Sequence, residues 1–119
     1  MKNLLLLISL AIFIFTLVSC GGPKKDQKKM LQMFEEYTEI AVKAAKDKVL
    51  DEKEIEELNE ISSKIDEFSQ EMDKKYENDS ESQKLMQDYM KEENNKTIIK
   101  EYTNALMLLW DCEGAENLE

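Results

Sequence analysis

From Lys28 onward the apolar residues of the chain recur at steps of three and four, the spacing that places them on one face of a helix. Met30, Met33, Phe34, Tyr37, Ile40, Ala41, Ala44, Ala45 and Val49 form the first such series, which predicts a helix over roughly residues 26 to 47. A second series, Ile55, Leu58, Ile61, Ile65, Phe68, Met72 and Tyr76, follows. Its start carries a signal of its own, because Asp51 and Glu54 have the spacing of a reciprocal capping box. Asn78 to Ser82 holds no apolar residue and is rich in side chains that favour turns. A third series then runs through Leu85, Met86, Tyr89, Met90, Ile98, Ile99, Tyr102, Leu106, Leu109 and Trp110, interrupted by the polar stretch Lys91 to Thr97. The reading favoured for this interruption is one long, kinked helix; the alternative is a break with a restart near Thr97. Gly114 suits the left-handed residue that follows a last helical turn, and residues 115–119 are expected to fray.

No proline follows Pro23, and Gly114 is the one glycine after it, so nothing interrupts a helical reading over ninety residues. Alternation of the strand kind is absent. The expected fold is therefore all-α: a small bundle of about three helices in up-down-up order, or an extended hairpin with a packed third helix. The narrow stripe of the second helix also allows an intermolecular coiled coil.

The first twenty residues follow a different pattern. After Met1-Lys2-Asn3, residues 4–18 are apolar except for Ser9 and Thr16. Fifteen helical residues reach only about 22 Å, short of the ~30 Å hydrocarbon core. The run therefore has the length of a secretory signal rather than of a membrane span. It ends at Leu17-Val18-Ser19-Cys20, followed by Gly21-Gly22-Pro23. This ending resembles the lipobox of bacterial lipoproteins. The resemblance implies lipid attachment, palmitate among the acyl groups, to the sulfur and new amino group of Cys20 after cleavage between Ser19 and Cys20. It thereby implies an extracytoplasmic protein anchored in the cell membrane or outer membrane. The expected organisation is a signal peptide over residues 1–19, a flexible basic tether over 20–27, an acidic helical domain over 28–114 and a frayed tail over 115–119.

Charge sharpens this division. Lys24, Lys25, Lys28 and Lys29 lie close to the anchor, with Asp26 the one acidic residue among them, whereas residues 30–119 carry 25 acidic residues against 11 lysines, a net of −14. A juxtamembrane basic cluster is attracted to anionic headgroups by about 1 kcal/mol per lysine. An acidic domain is a poor partner for nucleic acid, where affinity depends on neutralising phosphates.

Candidate chemistry is sparse. All 16 basic residues are lysine, and histidine is absent, which removes the usual phosphate fork, the usual general base and the usual metal ligand. No catalytic residue, cofactor or metal site is expected, and an enzyme is the least favoured class. Residues 47–58 have the length of a calcium loop but lack its glycine and its final glutamate. Glu56, Glu57 and Glu60 read as a solvated face.

Two features point to partners. Ala105 to Trp110 is apolar around the whole helix, so it is expected either to be buried on several sides by the other two helices or to leave a patch for a partner or for self-association. Leu106, Leu109 and Trp110 are the candidate contact residues. Cys112 is the cysteine left over once Cys20 carries lipid, a candidate for a disulfide or redox role, with burial as the alternative. The favoured function is a membrane-anchored scaffold or protein-binding module of the cell envelope, of inhibitor or immunity type among others. The alternatives are a self-associating structural lipoprotein and a carrier of a small ligand or lipid between the helices.

Overall fold

The structure, a computed structural model, describes residues 22–119. The expected signal peptide over residues 1–19, with its cleavage site at Ser19, and the expected lipidation site Cys20 lie outside the described residues. Four helices follow one another: α1 (Gly22–Ala44), α2 (Glu52–Lys75), α3 (Ser80–Met90) and α4 (Glu93–Trp110), with short 3₁₀ turns at Ala45–Asp47 and Ala115–Asn117. The fold is a small all-α helical bundle.

Every other helix packs on α1. Helix α2 runs back along it, since Lys75 at the end of α2 pairs with Asp26 in the second turn of α1, at 2.9 Å, and Lys29 lies over the Phe68 ring. Helix α4 runs in the direction of α1. Phe34 and Tyr102 stack with ring centroids 4.4 Å apart, and past the ends of both helices the Leu50 N–H donates to the Glu113 carbonyl at 2.8 Å. The three long helices thus keep the expected up-down-up order, with short α3 inserted before the last.

The core is contributed by the series read from the sequence. Met30, Tyr37, Ala41 and Ala44 of α1, Leu58, Ile61, Ile65 and Met72 of α2, and Ala105 and Leu109 of α4 form one buried cluster. Because the α2 stripe is used up inside the bundle, it is not available for an intermolecular coiled coil.

Helix boundaries have local causes. The capping box of α2 is present: the Asp51 carboxylate accepts from the Glu54 N–H at 2.8 Å, and Glu54 accepts from the Asp51 N–H at 3.1 Å. Asp79 caps α3 by accepting from the Ser82 N–H and hydroxyl, which holds its carboxyl below the usual range, the hydroxyl bond foremost.

Three expectations are corrected. The segment 20–27 is not a flexible tether throughout, because residues 22–27 already belong to α1. Pro23 sits where the backbone N–H has no helical partner to lose, and Asp26 ties this turn to α2 through Lys75 and the Tyr76 hydroxyl at 2.5 Å. The third apolar series is not one long helix. It divides at Lys91 and Glu92, where Glu92 adopts extended backbone, and the buried Asn95 amide donates across the break to the Tyr89 carbonyl at 2.7 Å. The tail is docked rather than frayed: Asn59 donates to the Asn117 carbonyl and accepts from the Glu119 N–H, while Leu118 packs on the core.

Leu58 is fully buried, so Leu58→Ala is expected to lower unfolding free energy by about 2 to 5 kcal/mol. Leu108→Ala, at a half-exposed position on α4, should stay within about 1 kcal/mol. Parallel urea titrations of the two variants compare these costs directly.

Candidate functional site

Three surfaces carry the residues that could act. The first is the start of α1. Lys24, Lys25, Lys28 and Lys29 are exposed there, on a helix fixed by the Asp26 contacts. The hydrogen bond to Asp26 raises Lys75, and burial followed by that same carboxylate raises Tyr76.

The second is an open groove of about 560 Å³ between α1, α2 and α3. Helix α3 presents Gln83, Met86, Gln87 and Met90 to it, and α2 presents Ser69, Met72, Asp73 and Tyr76. Each set has the spacing i, i+3, i+4, i+7, a single helical face. Gln27 and Met30 of α1 complete the floor and Lys91 lies at the rim. The volume is within the ~300–1,000 Å³ common for small-molecule sites. The sequence reading missed this site, although its signal was present: Met86 and Met90 are one turn apart, and Met72 belongs to the same stripe as Tyr76.

The third surface is the far end of α4. Trp110 is 74% exposed, Leu108 50% and Met107 49%. Of the three candidate contact residues, Trp110 alone faces solvent. Leu109 is 1% exposed and part of the core, so it cannot meet a partner, and Leu106 packs against that core. Successive residues of a helix turn by about 100°, which separates Leu109 from Trp110. Because α1 and α4 run parallel, the Trp110 end and the groove lie at opposite ends of the bundle, Met30 and Ala44 being about 21 Å apart along α1.

Cys112 is buried and its thiol donates to the Leu108 carbonyl at 3.4 Å. Burial, then Asp47, Asp111 and Glu54, pushes this thiol up. A protonated, covered thiol is a weak nucleophile, so among the readings left open for Cys112 the described residues favour burial. Residues 47–51 form an ordinary turn in which the Asp47 carboxylate accepts from the Val49 N–H. Glu60 pairs on the surface with Lys64. Among the described residues no cluster of histidine, cysteine and carboxylate groups is placed to hold a metal ion, and no helix is long and apolar enough to cross a membrane.

Burial raises Tyr37 and Tyr102, with Tyr102 and Asp66 respectively adding to the shift. Together with Tyr76 and Lys75, these groups hold their protons more tightly in the folded chain. Their contribution is complete below the ordinary tyrosine value of about 10 and is lost as pH rises through the folded values. Alkaline titration should show phenolate absorbance emerging later in native protein than in urea-unfolded chain, with stability falling over that window. Cys112 should react with a thiol reagent only as fast as the protein unfolds, so rapid labelling of native protein would contradict its burial.

Compared with protein-family profiles, with curated proteins and with solved structures, the chain shows no significant match to any of the three.

Proposed function

We propose that the protein is an extracytoplasmic lipoprotein, anchored through acylated Cys20, whose helical domain binds another protein of the cell envelope. The observation that carries the binding part is the exposure of Trp110 together with Met107, which lies one turn back on the same face of the helix. A tryptophan in this position has the chemistry of a residue that dominates interface energy, and Met107 extends its apolar surface along the helix. The anchoring part rests on the Leu17-Val18-Ser19-Cys20 sequence.

The early start of α1 gives this reading a definite geometry. Lys24 to Lys29 fall within about 11 Å of Gly22 along the helix, comparable to the ~8–10 Å Debye length at physiological salt. With lipid on Cys20, the lysines would lie close to the headgroups, and the Trp110 end would point away from the membrane. A partner would then meet the domain at its membrane-distal end.

A second reading, a small-ligand carrier, is supported by the groove, which is open rather than enclosed. Self-association through the α2 stripe or Cys112 is the less supported reading, since most of the stripe and the thiol pack within the domain.

Metabolic labelling with an alkyne palmitate analogue should mark the wild-type protein and not Cys20→Ser; equal labelling of both would defeat the anchoring reading. A photoreactive residue at position 107 of the full chain, on the Trp110 face of the helix, should give a discrete protein adduct in host membranes. Trp110→Ala should abolish the adduct while leaving circular dichroism unchanged. Adducts to lipid alone, or insensitivity to Trp110→Ala, would defeat the protein-binding reading.

A further inference from the structure

Four of the seven methionines of the chain converge on the groove. They come from three helices: Met30 from α1, Met72 from α2, and Met86 and Met90 from α3. Met86 and Met90 are one turn apart on the same face, a spacing of about 5–6 Å between Cβ atoms. Met30 lines the floor and Met72 the α2 side of the groove, and both are mostly buried, so their backbones are held by the core. Three rotatable bonds let each thioether turn toward a shared point in the open groove.

The donor set is unusual. The chain has no histidine, and Cys112, the cysteine among the described residues, is buried near the opposite end of the bundle. Thioether sulfur is therefore the soft donor available at the groove. Soft thioethers select Cu(I) over hard cations, which prefer oxygen ligands. The oxygen chemistry here is limited to the Asp73 carboxylate, the Tyr76 hydroxyl, the Ser69 hydroxyl and side-chain amides. A thioether is also neutral, so it binds a metal without first losing a proton. The Asp73 carboxylate supplies a negative charge beside the cation, and the opening of the groove supplies an entry path.

We propose that Met30, Met72, Met86 and Met90 form a binding site for a soft monovalent cation of the Cu(I) or Ag(I) class. The site is separate from the Trp110 surface and does not depend on the lipid anchor. No redox step is involved: the cation exchanges its solution ligands for thioethers, and its charge is unchanged.

The test uses Ag(I) as a redox-inert probe on the full chain in detergent micelles. Cys20→Ser and Cys112→Ser are introduced so that no thiolate competes, and circular dichroism verifies the fold. Methionine methyl NMR is followed during titration with silver nitrate. One equivalent should shift the methyls of Met30, Met72, Met86 and Met90 and leave Met33 and Met107, which lie off the groove, in place. In the same background, Met86→Leu with Met90→Leu retains apolar volume and removes both sulfurs. Silver affinity, read by chelator competition, should fall by at least about tenfold, the loss that even outer-shell partners of a metal can cause. Thermal stability should stay close to that of the parent. Equal shifts at Met33 and Met107, no saturation near one equivalent, or undiminished affinity in the leucine variant would each overturn the proposal, because methionines that merely fill space are replaced by leucine without consequence for silver.

Discussion

The close approach of helices to α1 is the constraint on which the bundle depends. Ala41 and Ala44 on α1 and Ala105 on α4 are fully covered, and alanine is small enough to let backbones come near without leaving a void. Larger residues above and below then interlock, with Phe34 and Tyr37 enclosing Tyr102 from α1. One helix can therefore serve three neighbours, and the chain needs no second core. The same arrangement explains why α1 begins as early as Gly22: its first turns are held by α2 through Asp26, so helix formation there is supported by tertiary contacts rather than by propensity alone.

The break between α3 and α4 has consequences beyond the change in helix count. A continuous helix would carry its polar stretch straight past α1. The division at Lys91 and Glu92 instead lets α3 pack against the N-terminal half of α1 on its own axis. Asn95 braces the break, since its amide donates to the Tyr89 carbonyl, which also accepts from the Glu92 N–H at 3.3 Å. The methionine groove follows directly, because its third wall is the face of α3 that the break sets free.

At the other end, Gly114 closes the structure. Its backbone is left-handed, with φ of 95°, and a Cβ there would lie 3.0 Å from the Leu50 carbonyl oxygen. Glycine meets both demands. Glu113 can then exchange backbone hydrogen bonds with the 48–50 turn, donating to Lys48 and accepting from Leu50. This clasp fixes the end of α4, so that Leu109 and Cys112 face inward and Trp110 faces out.

The sequence by itself determined the all-α class, the main helical faces and the start of α2. These depend on local period and on capping between residues three apart, which a linear reading contains. It also separates the apolar leader and its lipobox-like end from the acidic remainder. Tertiary structure decided the rest. The polar stretch Lys91 to Thr97 is compatible with a kink or a break, and the buried environment of Asn95 selects the break. The apolar run Ala105 to Trp110 looks equally sticky on all sides, and only the positions of α1 and α2 divide core residues from exposed ones. The groove joins residues sixty positions apart in sequence, from Met30 to Met90, and such a meeting depends on how the helices are placed in space.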